Sequence, residues 1–396
     1  MADKTIINFG EKVHPVIWSR LAKIVSAERI GNGYIFSGPA GTGKEGVALS
    51  FAALLNCQNP GESACGTCRS CIRFLTLQHE HINIVFPLPT GKPSTGKTSD
   101  PIQNLDDDTV SIVTNSIQQK AADPFYKIRI PKANRILIQS IRHLRQKMYL
   151  KSLEKGQKIV VIFEAHLLSA GQGEAGNALL KLLEEPPENT TLILVTDNKA
   201  GLLQTILSRC QHIDFPPLET KIVLEFLNQS VSPSVAETAA VLSEGNMIRA
   251  ERLSKYSSSE LLTLLKDIVS NLSIPNPNDH RQFVRDMMTY LNNDPEEFDF
   301  RISLAQIWYS LIGKLRSNML IASINKNFES ELLQMIEKYP NANIVEINHV
   351  LEDLKQAPRR NLHMTLALST AAIGIQHFLD GATRFTNQHE TMTKLA

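Results

Sequence analysis

The segment Tyr34-Ile-Phe-Ser-Gly-Pro-Ala-Gly-Thr-Gly-Lys44 decides the fold of the first part of this chain. It is typical of a short apolar strand followed by a glycine-rich turn and the start of a helix, because apolar residues continue at helical spacing from Gly46 to Leu55. Glycines let several backbone N–H groups point into one cavity, and the helix N-terminus adds partial positive charge. The segment therefore predicts a phosphate-binding loop that contacts ATP or ADP through Gly38, Gly41, Gly43 and Lys44.

Two positions near this loop argue against hydrolysis of a bound nucleotide. Glu45 follows Lys44 where the loop motif requires a Ser or Thr hydroxyl for Mg²⁺. Nucleotide hydrolases of this architecture also place an acidic pair after a later buried strand, and here Phe163 stands before the single acid Glu164. We expect that a nucleotide can bind without competent Mg²⁺-dependent hydrolysis. The alternative, a working ATPase that tolerates both changes, stays open.

The rest of the chain divides into an α/β part and a helical part. Apolar strands alternate with helices as far as Phe215, which predicts an α/β domain with a parallel sheet over residues 1–216. Residues 87–124 are rich in Pro, Gly, Ser, Thr and Asp, and we expect an insertion outside the core with a short helix at Val110–Lys120. Every later periodic segment is helical, which predicts a three-helix unit at 217–256 and a helical domain at 257–396.

Four of the five cysteines lie within one short stretch, and Cys210 stands apart. Two overlapping C-x2-C spacings let a tight loop present four thiolates to one tetrahedral ion, with no position left for water. The pattern predicts a structural Zn²⁺ module at residues 57–71, and it leaves His79 and His81 as surface residues. The predicted ligands are Cys57, Cys65, Cys68 and Cys71.

The composition excludes several classes of protein. With 41 Lys and Arg against 40 Asp and Glu, the formal net charge is +1, so the chain does not coat polyanions by bulk charge. This balance also argues against a zinc-dependent module that binds nucleic acid by itself, which is a further alternative. No window approaches about 18 consecutive apolar residues, and we expect a cytoplasmic protein without a membrane span.

Five segments, taken in order, carry a family resemblance. The segments are Arg29–Lys44, the four-cysteine module, Ile141–Gln146, Asn177–Pro187 and Thr205–Cys210. Together they are similar to the clamp-loader branch of the AAA+ ATPases in bacterial DNA polymerase III, over about residues 10–255. The resemblance implies a P-loop AAA+ domain with an inserted zinc module, an all-α lid at 217–256 and an all-α C-terminal collar domain at 257–396.

The resemblance also implies roles for three residues outside the loop. Arg209, within Ser208-Arg209-Cys210, would reach the nucleotide site of a neighbouring subunit and stabilise γ-phosphate charge there. Thr196 and Arg249 match the two sensor positions that contact nucleotide in the same chain.

The implied partners are the delta and gamma/tau subunits in a heteropentamer, with the sliding clamp and primed DNA reached through the complex. The missing magnesium groups favour a subunit that does not hydrolyse ATP over an active gamma/tau-type ATPase.

Overall fold

The computed structural model describes residues 6–91, 100–150, 156–273, 277–317, 326–360 and 362–382. They divide into two compact units, which are described separately below. The first unit is Met1–Gln229 with Glu244–Ile248, and the second is Ser230–Ser243 with Arg249–Ala396. The predicted lid and collar boundaries stay predictions.

A parallel sheet of five strands forms the centre of the first unit. The strand order is β2-β3-β4-β1-β5, so β4 lies between β1, which precedes the glycine loop, and β3, which precedes Phe163. The buried strands are almost continuously apolar, as expected for a parallel sheet covered on both faces. The predicted α/β domain is confirmed. The strands are β1 Gly33–Ser37, β2 Ile82–Val85, β3 Lys158–Ile162, β4 Thr190–Thr196 and β5 Gln211–Asp214.

Helices pack on this sheet and connect its strands. The helix that follows the glycine loop, α3 (Lys44–Leu55), is buried along nearly its whole length, because after Glu45 its side chains are small or apolar on every face. The helices of this unit are α1 Phe9–Val13, α2 Pro15–Ser26, α3 Lys44–Leu55, α4 Arg69–Leu75, α5 Asp107–Ala122, α6 Ile138–Tyr149, α7 Glu174–Glu184, α8 Gln204–Leu207 and α9 Thr220–Leu227. Short 3-10 helices occupy Ile6–Asn8, Pro101–Asn104, Ala165–Ser169 and Lys199–Gly201.

The prediction that residues 87–124 lie outside the core is wrong for the part that is described. Helix α5 is longer than expected, and it begins at a cap in which the Asp106 carboxylate accepts from the Thr109 N–H at 2.9 Å. Val113 and Lys120 on this helix are buried. Residues 92–99 of the predicted insertion lie outside the described residues.

The second unit is helical throughout its described residues, as the sequence predicted. Its longest helix, α14, is buried on most sides, and the hydroxyl groups of Tyr309 on this helix and Ser273 on α12 share a buried hydrogen bond. The helices are α10 Pro233–Leu242, α11 Met247–Leu253, which begins in the first unit, α12 Ser258–Ser273, α13 Pro277–Asn293, α14 Pro295–Arg316, α15 Lys326–Lys338, α16 Ile344–Gln356 and α17 Met364–Leu379, with a 3-10 helix at Ala357–Arg360. In the described ranges, no helix combines the length and apolar character needed to span a bilayer.

Candidate nucleotide site and metal centre

The glycine loop between β1 and α3 adopts a conformation that needs its glycines. Gly41 and Gly43 have φ angles of +72° and +78°, in the left-handed region that side chains disfavour. A Cβ atom at Gly38 would collide with the carbonyl oxygen of Phe215, and one at Gly41 would collide with the Asn246 side chain. Nucleotide contact by the three glycines stays a prediction.

Lys44, which was predicted to reach the phosphates, has partners within the chain. Its side chain is buried, and its Nζ donates to the Pro39 carbonyl oxygen at 2.7 Å and forms an ion pair with Asp197. Asp197 directly follows β4, at the edge of the sheet where the strands end. The charge that would bind a phosphate therefore already faces a carboxylate.

Asp197 is the centre of a larger ion network. The Lys127 Nζ lies 2.5 Å from Asp197 Oδ2 and 2.7 Å from Glu164 Oε1. Burial opposes ionisation of Asp197, but the adjacent Lys127 and Lys44 lower the pKa of this carboxyl to about 2. Burial likewise opposes the charge of Lys127, and Asp197 and Glu164 outweigh it and raise the lysine's pKa above its ordinary value. At neutral pH Asp197 and Lys127 are therefore both charged.

Glu45, at the position of the missing hydroxyl, has a lysine partner of its own. The Lys120 Nζ lies 2.5 Å from Glu45 Oε2 and also donates to the carbonyl oxygens of Pro124 and Tyr126, at 2.9 and 2.6 Å. Lys120 is 0% exposed. Burial lowers the pKa of Lys120, and the Glu45 carboxylate acts in the opposite direction.

The two predicted sensor residues lie in different units. Thr196, at the end of β4, is buried, and its Oγ1 accepts from the Asn198 N–H at 3.0 Å and lies 3.1 Å from His166 Nδ1. Arg249 belongs to the second unit, where its Nη1 donates to the Ser243 carbonyl oxygen at 3.4 Å. Nucleotide contact by either residue stays a prediction.

Arg209 lies just after α8 and is partly exposed. Its Nη2 is 2.8 Å from Glu184 Oε1 at the end of α7, and its Nη1 donates to the Thr205 carbonyl oxygen at 2.9 Å. The side chain is 38% exposed. The guanidinium is therefore held at the protein surface by an ion pair and a hydrogen bond to the backbone.

The four predicted zinc ligands come together. Their Sγ atoms all lie within 4.8 Å of one another, and the cluster could hold a metal ion such as zinc. The backbone N–H groups of Thr67 and Cys68 lower the pKa of Cys65 to about 6, whereas burial raises the pKa of Cys71. Four sulfur donors without a carboxylate or water fit a closed structural site.

The expectation that His79 and His81 lie at the surface is wrong. Both are buried, at 7% and 3% exposure. The His79 ring stacks on Phe74 of α4 at 4.4 Å between ring centroids, and its Nε2 lies 2.9 Å from Ser70 Oγ. The segment directly precedes the buried strand β2, and this position carries both rings into the interior.

Sequence reasoning missed three residues of the ion network, namely Lys120, Lys127 and Asp197. Asp197 could have been found, because an acid at the end of a buried strand lies at the edge where the glycine loop also lies. The two lysines had no comparable signal, since Lys120 belongs to the polar stretch 87–124 that was assigned to the outside of the core, and Lys127 lies just beyond that stretch in no recognised motif.

Comparison with known proteins identifies the family. A family model described as DNA polymerase III, delta subunit, matches residues 13–219, which is more than half of the chain. The chain belongs to this family. The predicted resemblance to subunits of bacterial DNA polymerase III is confirmed.

Individual relatives agree with this assignment. The chain is 28% identical over 245 residues to the DNA polymerase III subunit delta' of Bacillus subtilis, covering 62% of this chain and 60% of that protein. It is 29% identical over 221 residues to the delta' subunit of Yersinia pestis, covering 54% and 52%. It is also 28% identical over 255 residues to subunit tau of Bacillus subtilis, covering 64% and 36%. The chain thus matches less than two thirds of the length of each of these relatives. The resemblance to a delta' subunit, to which the sequence motifs pointed, is confirmed.

A solved structure of a gamma subunit-related protein of DNA polymerase III from Thermotoga maritima aligns with 91% of this chain and 99% of that chain. Its TM-score is 0.39 and its sequence identity is 14%.

Proposed function

We propose that this chain is a delta'-type subunit of the clamp loader, which does not hydrolyse ATP and donates Arg209 to the ATP site of a neighbouring subunit. The observation that carries the proposal is the internal pairing of the two residues at which the loop ends and α3 begins. Lys44 pairs with Asp197, and Glu45 pairs with Lys120. The lysine that would bind phosphate and the side chain at the metal position are thus both paired within the chain.

The donor set of this site does not fit Mg²⁺. Magnesium in nucleotide hydrolases is held by a Ser or Thr hydroxyl of the loop and by a carboxylate after a later strand of the same sheet. Here the first position holds Glu45, whose carboxylate is bound to a lysine, and the second holds Phe163, which has no donor atom. A phosphate would also have to displace Asp197 from Lys44. ATP or ADP can bind only in competition with these pairs, and without a competent metal.

Arg209 supports the donor role. Its guanidinium is partly exposed, and the residue is fixed by a backbone hydrogen bond from its N–H to the Ile206 carbonyl oxygen at 3.1 Å. A guanidinium supplied in trans stabilises the charge that develops on the transferred γ-phosphoryl group, and it accounts for about 10³ to 10⁵ in rate in other systems. In this proposal the ordered segment after α8 presents Arg209 to the neighbour.

The remaining parts of the proposal concern assembly and zinc. The partners are delta and gamma/tau in a heteropentamer, and the sliding clamp and primed DNA are reached through that complex in the cytoplasm. Residues 217–256 form the lid and residues 257–396 the collar. Zn²⁺, when bound by the four thiolates of residues 57–71, ties the loop before α4 together and leaves no position for a reacting water.

One observation favours a second candidate, an active gamma/tau-type ATPase. The chain is as similar to the tau subunit of Bacillus subtilis as it is to the delta' subunit, at 28% identity in each case. The loop also has all the glycines and the lysine, Lys44, of the phosphate-binding motif. This candidate requires Lys44 and Glu45 to leave their present partners when ATP and Mg²⁺ bind.

Reconstitution tests the arginine role. The chain is mixed with delta and gamma/tau subunits and clamp, and DNA-stimulated ATP turnover is measured beside complex formation by size-exclusion chromatography. We expect Arg209→Ala to assemble normally and to remove the turnover of the adjacent ATP site, since a lost arginine finger costs about 10³ or more in rate. Arg20→Ala, at an exposed arginine of α2, is the matched control. Unchanged turnover with Arg209→Ala would exclude Arg209 from the reaction.

A further inference from the structure

Lys120 contacts both residues that stand where a nucleotide hydrolase of this architecture has its metal-organising side chains. Its Nζ is 2.5 Å from Glu45 Oε2, at the loop position of the missing hydroxyl. The same atom is 5.2 Å from the centre of the Phe163 ring, at the strand position of the missing acid. The ammonium group therefore contacts the residues at both positions from which a hydrolase would organise Mg²⁺.

The surroundings of Lys120 suit a permanent cation. Three oxygen atoms accept from its Nζ, namely Glu45 Oε2 and the carbonyl oxygens of Pro124 and Tyr126. An ammonium group has three hydrogens, so each acceptor receives one. The lysine is fully buried, and a buried charge with complete hydrogen bonding is the arrangement that a protein interior tolerates.

The segment that carries Lys120 is packed against the start of α3. A Cβ atom at Gly46 would lie 2.7 Å from the Pro124 Cβ, and one at Gly43 would lie 3.0 Å from the Phe125 ring. Phe125 also contacts Phe9 edge to face, with ring centroids 4.8 Å apart. This close packing makes the segment a part of the site.

The ion pairs of the site balance without a metal. They join three lysines to three carboxylates, so that these six groups would not compensate the two charges of an added divalent cation. The lysines are Lys44, Lys120 and Lys127, and the carboxylates are Glu45, Glu164 and Asp197.

We propose that Lys120 is a built-in cation that replaces Mg²⁺ in this site. The proposal deepens the non-hydrolysing part of the proposed function and rests on it, but it does not depend on Arg209. It implies that Mg²⁺ does not change the stability of the folded wild-type chain. It also implies that removal of Lys120 leaves a carboxylate and two carbonyl oxygens, which are ligands that a hard cation such as Mg²⁺ prefers.

Thermal unfolding of the full, zinc-loaded chain tests the proposal. The midpoint is measured in about 10 mM MgCl₂ and in NaCl of equal ionic strength, without chelator because of the four-cysteine cluster, at a concentration high enough for a weak site to show. The wild-type midpoint should move by less than about 1 °C. Lys120→Met should lower the midpoint by several degrees in NaCl, and Mg²⁺ should return about 2 °C or more of that loss.

Lys158→Met is the matched control. The Lys158 Nζ also donates to two carbonyl oxygens, those of Met148 and Leu150 at 2.7 and 2.6 Å, and none of the described carboxylates pairs with it. The Lys158→Met variant should therefore lose the same amount in its unfolding midpoint with and without Mg²⁺. A wild-type chain that Mg²⁺ stabilises by about 2 °C or more, or a Lys120→Met loss that Mg²⁺ leaves unchanged, would overturn the proposal.

A double variant covers the case in which Lys120→Met does not fold. Glu45→Gln with Lys120→Met removes both charges, and it should be soluble, more stable than Lys120→Met and insensitive to Mg²⁺. If the double variant is no better than the single one, the loss is due to packing and the proposal fails. None of these measurements involves ATP turnover or a neighbouring subunit, so their failure is distinct from failure of the Arg209 role.

Discussion

The Nζ atom of Lys127 lies 2.5 Å from a carboxylate oxygen of Asp197. The lysine follows α5 and the aspartate follows β4, so this ion pair joins a segment outside the regular α/β pattern to the edge of the sheet where the glycine loop lies. Lys44 approaches the same carboxylate. One carboxylate thus holds both the loop lysine and the segment that follows α5.

The low pKa of Asp197 predicts a pH dependence of stability. The pKa of Asp197 is about 2 in the folded chain and about 3.8 in the unfolded chain. Ionised Asp197 therefore stabilises the fold fully above about pH 3.8, and this stabilisation is lost as the pH falls towards 2. At pH 7 it amounts to about 2 kcal/mol, and about half is gone near pH 3. We expect Asp197→Asn to lose about 2 kcal/mol at pH 7 in urea unfolding.

The comparison of the two proteins across pH provides the check. The difference in free energy of unfolding between wild type and Asp197→Asn should stay constant from pH 7 to about 5 and shrink below about pH 4. Loss of zinc at low pH affects both proteins equally, since Asp197 is not a candidate ligand. A difference that grows as the pH falls would contradict the sign of this effect.

The ion pair between Arg209 and Glu184 predicts different effects for two substitutions. Glu184→Ala removes the carboxylate partner of Arg209 but leaves the guanidinium in place, so reconstituted clamp loader should keep its ATP turnover. Arg209→Lys keeps the charge but loses the planar donor fork, and it should reduce the turnover of the adjacent site. Steady-state turnover of the two complexes, measured side by side, decides the matter. Loss of turnover in Glu184→Ala with full turnover in Arg209→Lys would assign the role to the glutamate.

The cysteine cluster predicts a selective loss of metal. Cys68→Ala should release zinc, because three thiolates leave a tetrahedral site incomplete. The module at residues 57–71 should then become sensitive to limited proteolysis. Cys210→Ala is the control, since Cys210 lies apart from the cluster and packs against the hydrophobic core. Elemental analysis measures the zinc content of both variants. One zinc ion per chain in Cys68→Ala would refute the ligand set.

Local patterns made much of this structure predictable. The glycine loop, the buried strands and the cysteine cluster each depend on residues close together in sequence, and the structure has all of them. Arg209 and Thr196 were located through a family resemblance, and the structure places them after α8 and at the end of β4.

The ion network was not predictable, for a physical reason. Its pairs join residues far apart in sequence, with Lys120 and Glu45 separated by 75 positions and Lys127 and Asp197 by 70. The segment around α5 is polar, and polar composition ordinarily indicates exposure. Lys120 is buried because three oxygen atoms receive its hydrogens, and this is a property of the folded chain that the spacing of its own residues does not reveal.

Steady-state ATP turnover by the isolated, zinc-loaded chain in the presence of Mg²⁺ tests the central claim most directly, with Lys44→Ala as the reference protein. The account predicts that wild type and Lys44→Ala are equally inactive, because the loop lysine and Glu45 are already paired within the chain. Sustained hydrolysis by the wild type that disappears in Lys44→Ala would contradict the account and favour an active gamma/tau-type ATPase.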